Sequence, residues 1–245
     1  MSPVMDPPAP IPLALGLPVA LSLVALLLGW VRRSALVAGI PLGALVLWLG
    51  GLGGFLILVG FFLLGTTLTR LGYGAKEAKG VAEEQGGRRG SAHVVANCTS
   101  SPLVLLLRGT GALGDSSAPL LWAAYAGSFA AAASDTASSE IGQLYGRRTV
   151  SLRTLRSVPV GTEGAVSIEG LLGGLGAALV MGLVGGAVGF LDLAGVVAVT
   201  LGGFLGNVGE SLVGSWGRRL LPHGGLNFAN TVVGALLAAG IRALL

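Results

Sequence analysis

The sequence predicts an all-α protein, a polytopic bundle of about eight transmembrane helices that forms one integral membrane domain over residues 1–245. Hydrophobic residues make up 53% of the chain and charged residues only 11%, whereas an ordinary soluble domain has roughly 25% charged residues. The mean hydropathy is correspondingly high, at +0.82. The 43 glycines lie among Leu, Val and Ala, a composition typical of closely packed membrane helices.

Charge and cysteine content exclude several other classes of protein. The pI near 9.8 reflects an excess of only four positive charges. No basic stretch is interleaved with aromatic residues, so we expect no nucleic-acid partner. The single cysteine, Cys98, permits no internal disulfide. No positively charged segment precedes the first apolar run, which we therefore expect to be a retained helix and not a cleaved signal peptide.

Eight apolar runs are candidate spans. A helix needs about 20 apolar residues to cross a hydrocarbon layer about 30 Å thick, and shorter runs suffice among other helices. The predicted spans are 12–30, 35–49, 52–68, 92–107, 120–142, 165–190, 193–214 and 226–244. The glycine pair Gly50 and Gly51 is the reason for separating the second span from the third. Glycines four residues apart, such as Gly170 and Gly174, indicate close helix packing in the sixth.

Basic residues predict the orientation of these spans. With the N-terminus outside, 13 of the 15 Lys and Arg residues fall on one side, and only Arg108 and Arg242 lie opposite. Cytoplasmic loops are enriched in Lys and Arg, so the long loops 69–91 and 143–164 are predicted to be cytoplasmic. We expect a prokaryotic inner or plasma membrane as the location. An odd number of missed or extra helices would spoil the alternation.

Carboxylates occur inside several predicted spans. Asp135 and Glu140 interrupt the small apolar run at 131–142, Glu210 lies in the seventh span, and Glu169 lies in the first turns of the sixth. An ionised carboxylate at membrane depth costs at least ~2.5 kcal/mol, so each acid is a functional candidate. The alternative for each is a structural ion pair with a loop arginine.

Helix geometry restricts what Asp135 and Glu140 can do together. At 100° per residue they point about 140° apart on a regular helix, whereas Ser139 shares a face with Asp135. One ion held by both acids would require a broken helix near Asp135, or further ligands from a second helix. The small polar residues at 134–139 would permit such a break. Otherwise the two acids serve different groups.

The chemistry of these residue types favours a magnesium–phosphate site. Mg²⁺ usually takes one or two carboxylates and completes its shell with phosphate and water. Arginines of the following loop, such as Arg156, can bind phosphate through two parallel hydrogen bonds. The turn with Gly161 and Thr162 opens the sixth predicted span, so its N–H groups form a candidate anion site. Asn227 has a helix cap as its alternative role.

Several motifs, in this order, resemble those of an integral membrane family that includes animal transmembrane protein 19 and the chloroplast phytyl-phosphate kinase of tocopherol synthesis. They are Thr69-Arg70, Gly86-Gly87-Arg88-Arg89 with Asn97, Asp135-Thr136-Ala137-Ser138-Ser139-Glu140-Ile141-Gly142, Val158-Pro159-Val160-Gly161-Thr162-Glu163-Gly164 with Glu169-Gly170, residues 206–214, and Asn227 with Asn230. The match runs from about Arg32 to the C-terminus. In two departures, Ala137 replaces a frequent large aromatic residue and Glu210 replaces a usual Asp.

The resemblance implies transfer of the terminal phosphate of a nucleoside triphosphate, expected to be CTP, to an isoprenoid monophosphate such as phytyl or geranylgeranyl phosphate. It implies Mg²⁺ as the cofactor and the lipid bilayer as the environment, and it leaves a homo-oligomer open. The implied metal ligands are Asp135, Glu140 and Glu210, with Glu169 in reserve. The implied catalytic residues are Asp135, Glu140 and Arg70, and the implied substrate or phosphate ligands are Arg88, Arg89, Arg156, Gly161, Thr162, Ser139, Asn97, Asn227 and Asn230.

The alternative function is a transporter or flippase for an anionic lipid or a small anion. Glycine-rich helices with buried acids suit such a protein. A transporter would place polar groups in both halves of the membrane, whereas nearly all of the polar groups in this sequence fall on the basic side.

Overall fold

The computed structural model describes residues 9–216 and 223–245, and most of this chain is helical. The helices are α1 (Ile11–Leu27), α2 (Arg33–Arg70), α3 (Tyr73–Ala78), α4 (Glu84–Gly87), α5 (Ser91–Cys98), α6 (Ser100–Gly109), α7 (Ala118–Tyr145), α8 (Ile168–Ala187), α9 (Leu193–Gly214) and α10 (His223–Leu244). A 3₁₀ helix, Asp115–Ser117, precedes α7, and the strands β1 (Val150–Ser151) and β2 (Ala165–Val166) pair antiparallel between α7 and α8.

The helices have the length and surface of membrane-spanning segments. Within the described ranges, four are long and apolar enough to cross a bilayer by themselves: Arg33–Arg70, Ile168–Ala187, Leu193–Gly214 and Gly224–Leu244. The shorter apolar helix is α1. Large apolar side chains stay exposed along them, as at Leu172 and Leu236, which suits contact with hydrocarbon. The predicted helical membrane fold is confirmed, and the number of crossings stays a prediction.

The predicted separation of the second and third spans is confirmed by a break inside α2. Gly51 has φ +61° and ψ −167°, a conformation that glycine adopts without the steric cost a Cβ would impose. Both ends of α2 lie near the segment that follows α1, which shows that the two halves of α2 fold back on each other at Gly51. Arg70 Nη2 donates to the Gly29 carbonyl at 2.6 Å, and the Trp30 ring lies 6.2 Å from that of Phe62.

Helix α7 is the centre of the bundle, packed against α8, α9 and α10. Its side chains are buried without interruption from Leu121 to Ser134. Neighbouring helices approach it closely because they present glycines: a Cβ on Gly203 would lie 2.6 Å from the Ala130 Cβ, and one on Gly174 would lie 2.9 Å from the Ser134 carbonyl oxygen. Since other helices surround α7, it can carry polar residues that a lipid-facing helix could not.

A break of the helix near Asp135, which was one of the alternatives, does not occur, because α7 runs continuously from Ala118 to Tyr145. The hydroxyl groups in this stretch form hydrogen bonds that leave the main-chain ladder intact. Thr136 Oγ1 donates to the Ala132 carbonyl at 3.0 Å. Asn207 on α9 donates to the hydroxyl oxygens of Ser134 and Ser138 at 3.1 and 2.7 Å.

Both ends of α2, the short helix α3 and the C-terminal end of α7 meet at one end of the bundle, named here the basic end. Lys79 Nζ donates to the carbonyls of Gln143 and Leu144 at 2.9 and 3.2 Å. The Arg32 N–H donates to the Arg89 carbonyl at 2.9 Å. Which side of a membrane the basic end faces stays a prediction. Arg218 and Arg219, which the sequence predicts on the same side, lie outside the described residues.

Candidate active site

A polar cavity of about 250 Å³ lies at the basic end, between α7, α9 and the turn that precedes β2. The residues that give it chemical character are Asp135, Ser139, Gly161, Thr162, Glu163 and Glu210. They come from three of the motifs that the sequence singled out, and we name this space the acidic cavity. Its described lining contains carboxylates but no Lys, Arg or His side chain.

Helical periodicity places the α7 and α9 residues on the cavity wall. Asp135, Ser139 and Gly142 follow one another at intervals of four and three residues, so they share one face of α7. On α9, Glu210 and Gly214 are likewise four residues apart and both line the cavity. The glycine at the end of each row allows close packing, since a Cβ would lie 3.2 Å from the Ser167 hydroxyl at Gly142 and 3.4 Å from the Gly164 backbone at Gly214.

The Asp135 and Glu210 carboxylates both line this cavity, and the charge of Asp135 acts on Glu210. The Glu210 side chain is buried, with only 9% of the residue exposed. Asn230 forms a side-chain hydrogen bond to it. Two neighbouring carboxylates in a weakly polar environment are stable as anions only when a cation neutralises them. The pair is therefore the strongest candidate cation site among the described residues.

Two buried amides stand beside this pair. Asn207 uses its NH₂ group on Ser134 and Ser138, and Asn230 Nδ2 donates to the Ala131 carbonyl at 3.3 Å. Within residues 9–216 and 223–245, the Oδ1 atoms of both asparagines are buried without a hydrogen-bond partner. Buried oxygens of this kind carry a cost unless a donor or a cation reaches them.

The donor set fits a hard cation such as Mg²⁺. Carboxylate and amide oxygens are ligands that Mg²⁺ accepts, and the remaining positions are filled by phosphate and water. In the described chain no three His, Cys, Asp or Glu side chains cluster to form a complete metal cage. A metal here would accordingly depend on a phosphorylated substrate for part of its coordination.

Glu140 lies in different surroundings from Asp135. Its carboxylate pairs with the ammonium group of Lys76, which is completely buried. The same ammonium group donates to the carbonyls of Thr69 and Leu68 at 2.9 and 3.3 Å. The continuous helix separates Glu140 from the acidic cavity, so the two acids serve different groups, as helix geometry allowed.

The structure brings only part of the expected site together. The acidic cavity receives Asp135, Ser139, Gly161, Thr162 and Glu210, with Asn230 beside Glu210. The residues that do not line it are Arg70, Arg88, Arg89, Asn97, Glu140, Arg156, Glu169 and Asn227. Of these, Asn227 Nδ2 donates to Asn97 Oδ1 at 3.4 Å, which joins α10 to α5 one turn before Asn230.

The four expected phosphate-binding or catalytic arginines lie outside the acidic cavity. Arg70 holds the segment after α1 through Gly29. Arg88 and Arg156 are exposed, and Arg88 Nε donates to the Gln85 carbonyl at 3.2 Å. The Arg89 guanidinium lies 5.6 Å from the centre of the Phe61 ring. Phosphate binding by any of them would therefore take place at the rim of the site or outside it.

The sequence predicts that the turn at Gly161 and Thr162 begins a helix, but the structure shows that it does not. Helix α8 begins at Ile168, and the Ser167 hydroxyl caps it by accepting from the Gly170 N–H at 3.1 Å. Strand β2 separates the turn from α8, because residues 165–166 pair with β1. The Thr162 N–H and hydroxyl both donate to the Pro159 carbonyl, so these donors stabilise the turn.

Sequence reasoning missed Lys76 and Asn207. Lys76 looked like one more loop cation, although its three-residue spacing from Lys79 fits one face of a short helix that meets the end of α7. Asn207 lies three residues before Glu210 on α9, so its helical spacing already placed it on the side of the functional acid.

Comparison with known proteins identifies the family. The model of the integral membrane protein family DUF92 matches residues 16–221. The chain belongs to this family. Membership in the integral membrane family that the sequence motifs indicated is thus confirmed. No solved structure matches the chain.

Three curated relatives of this DUF92 protein span most of its length. An uncharacterized membrane protein of Synechocystis is 36% identical over 224 residues, which cover 89% of this chain and 83% of the relative. Protein VTE6, chloroplastic, of Arabidopsis thaliana is 34% identical over 218 residues, 87% of this chain and 66% of the plant protein. An uncharacterized membrane protein of Methanocaldococcus jannaschii is 34% identical over 200 residues, 80% of this chain and 79% of the relative.

Proposed function

We propose that this DUF92 protein is a membrane phosphotransferase that moves the terminal phosphate of a nucleoside triphosphate to an isoprenoid monophosphate. The observation that carries the proposal is the Asp135–Glu210 pair, which lines one cavity at the basic end of a lipid-embedded bundle. The motif resemblance to the phytyl-phosphate kinase family supports the same reaction. CTP as the donor, phytyl or geranylgeranyl phosphate as the acceptor, and a cytoplasmic site are parts of this proposal.

The residues at the cavity would hold Mg²⁺ through Asp135 and Glu210, and the buried Oδ1 atoms of Asn207 and Asn230 are further candidate ligands. Bound there, Mg²⁺ would neutralise phosphate charge during transfer. The protein groups position the ion and exclude water, which is most of what phosphoryl transfer requires. Asp135 is reached from the cavity and Glu210 closes it from α9.

The transfer needs no general base. A phosphate oxygen of the isoprenoid monophosphate, already ionised, forms a bond to the terminal phosphorus of the nucleoside triphosphate. The bond between that phosphorus and its bridging oxygen breaks, and a nucleoside diphosphate leaves with the electron pair. The acceptor becomes an isoprenoid diphosphate, so phosphorus atoms, charge and electrons balance without a covalent enzyme intermediate.

The distribution of buried charge favours an enzyme over a transporter. Among the described residues, the buried Lys, Arg, Asp and Glu side chains are Lys76, Glu140 and Glu210, and all three lie near the basic end. A transporter needs a polar route that both membrane faces can reach in turn. At the opposite end the closing contacts are aromatic, with the Trp122 and Phe190 rings stacked 3.7 Å apart.

The test is a transfer assay with the purified full chain in lipid nanodiscs. Radiolabelled CTP, ATP, GTP and UTP are each incubated with Mg²⁺ and geranylgeranyl phosphate, and the labelled diphosphate is separated from the monophosphate. The proposal predicts label in the diphosphate. It also predicts a loss of about 10²–10³-fold in rate for Asp135→Asn, since a metal ligand is removed.

Asp115→Asn is the matched control, because it makes the same acid-to-amide change at an exposed position far from the acidic cavity. Its rate is expected to stay within about twofold of the unmodified protein, as for other surface substitutions. No labelled diphosphate with any of the four donors, or equal rates for the two variants, contradicts the proposed function.

A further inference from the structure

A second cavity, of about 190 Å³, lies between α1 and the two halves of α2. Its walls are almost wholly apolar and include Pro18, Ala25, Leu42, Phe55 and Phe62. Leu21, Val24 and Leu63 on its lining are 40%, 50% and 44% exposed, so the cavity opens sideways through an apolar rim. Its shape and lining suit a hydrocarbon chain that enters from the bilayer.

One end of this apolar cavity is charged. Arg89 and His93 line it there. The His93 ring is paired with Glu83 at 2.9 Å, which leaves Arg89 as the cation that faces the apolar space. Burial lowers the pKa of the Arg89 guanidinium, and the charges of Glu83, Glu140 and Asp135 act in the opposite direction. A guanidinium in these surroundings is a good partner for a phosphate group.

Polar side chains connect this charged end to the acidic cavity. Cys98 lines the apolar cavity, and its neighbour Asn97 bonds to Asn227 at 3.4 Å. One turn further along α10, Asn230 meets Glu210 at the acidic cavity. A molecule with its chain in the apolar cavity and its phosphate at Arg89 would therefore have its head directed toward Asp135.

We propose that the apolar cavity between α1 and α2 is the subsite for the hydrocarbon tail of a lipid monophosphate whose phosphate binds at Arg89. The inference rests on the proposed function, since it identifies where the acceptor of that reaction would bind. Among the described residues of this lining, Arg89 supplies the guanidinium group, and a guanidinium beside an apolar space matches an anionic head on one chain. A bilayer phospholipid has two chains and a diester phosphate, and it is the rival occupant.

Gly39 offers a way to fill the cavity without disturbing the backbone. It lines the cavity, and a Cβ built on it would meet no heavy atom within 4 Å. Gly16 on α1 is the matched control, because its Cβ would also meet nothing within 4 Å, while Gly16 does not line the cavity. The series Gly39→Ala, Gly39→Leu and Gly39→Phe fills the space in steps. The smaller substitutions therefore stay informative if Gly39→Phe does not fold.

The experiment measures binding of geranylgeranyl phosphate to the full chain in nanodiscs, without nucleotide, by calorimetric titration. The dissociation constant is expected to rise along the Gly39 series, by about tenfold or more at Gly39→Phe, and to change less than twofold in Gly16→Phe. Geranylgeraniol and inorganic phosphate, as the tail alone and the head alone, are each expected to bind at least about tenfold more weakly than the whole molecule.

The outcomes separate this inference from the proposed function. Equal dissociation constants in the Gly39 and Gly16 variants would overturn the tail subsite even if phosphoryl transfer is observed. Competition by phosphatidylglycerol as effective as by geranylgeranyl phosphate itself would also overturn it, in favour of a bilayer lipid. Binding that weakens along the Gly39 series supports the subsite even if no transfer is detected, in which case only the proposed reaction fails.

Discussion

Asp135 and Glu140 lie five residues apart on the same helix, yet their surroundings differ in almost every respect. Asp135 lines an open polar cavity and faces a second carboxylate. Glu140 is enclosed and faces a buried ammonium group that two carbonyl oxygens also hold. The first acid shares a polar cavity with Glu210, and the second shares a buried ion pair with Lys76.

The difference shows that a conspicuous acid in a membrane helix can have either of two uses. The buried ion pair joins Glu140 to Lys76 of α3, so Glu140 contributes to the attachment of α3 to α7. In the function proposed above, Asp135 and Glu210 bind the cation, because two carboxylates that line one cavity favour a cation between them. The continuous α7 enforces the division by pointing the two side chains in different directions.

The largest expected effect is a loss of folding stability in the Glu140→Ala variant. Removing one partner leaves the Lys76 charge buried and unpaired, which costs about 3–5 kcal/mol in free energy of unfolding. The measurement is reversible unfolding in mixed micelles. Glu77→Ala, at the exposed neighbour of Lys76, is the control and is expected to change the free energy by less than about 0.5 kcal/mol. A Glu140→Ala protein as stable as this control would show that the ion pair is not structural.

The next effect concerns metal dependence in Glu210→Gln. Losing one of two carboxylates is expected to raise the Mg²⁺ concentration for half-maximal transfer about 10–100-fold, with little loss of folding stability. Glu210→Asp keeps the charge and is expected to stay within a few-fold of the unmodified protein, since the resembling family usually has Asp there. The measurement is the initial transfer rate over a Mg²⁺ titration. If Glu210→Gln and Glu210→Asp need the same Mg²⁺ concentration for half-maximal transfer, Glu210 is not a ligand of the cation.

A smaller effect is expected where α8 meets α7. Gly174→Val would place methyl groups against the Ser134 carbonyl and force the helices apart, at a cost of about 1–3 kcal/mol in unfolding free energy. Gly176→Val makes the same change two residues further on, where a Cβ meets nothing within 4 Å. The difference between the unfolding free energies of the two variants measures how much the close packing of α8 against α7 contributes to stability. Equal values would mean that close approach of α8 does not hold α7 in place.

Much of this arrangement follows from the sequence by local rules. Apolar run lengths give the helices, and the glycine pair gives the break at Gly51. The uneven distribution of Lys and Arg predicts that the span ends with the motifs lie on one side of the membrane. In agreement with this, Asp135, Gly161 and Glu210 line one cavity. These features depend on hydropathy, on φ preferences and on which end of a helix a residue occupies, all of which can be read within one segment.

The remaining features depend on contacts between distant segments. The Lys76–Glu140 pair joins residues 64 positions apart, and no periodicity links a loop lysine to a particular acid. The continuity of α7 could not be predicted because the same small polar residues suit a break or a close helix contact, and only Asn207 and Gly174 on the neighbouring helices decide between them. The apolar cavity likewise exists only once α1 and α2 are packed.

The most direct test compares transfer rates in Asp135→Asn and in the double variant Lys76→Met/Glu140→Leu, both in nanodiscs and both normalised to folded protein. Replacing a whole buried ion pair with apolar residues of similar size is often neutral for stability. The double variant is expected to form isoprenoid diphosphate within a few-fold of the unmodified rate, while Asp135→Asn is expected to lose about 10²–10³-fold. A folded double variant without activity, or an active Asp135→Asn protein, would contradict the division of roles between the two acids.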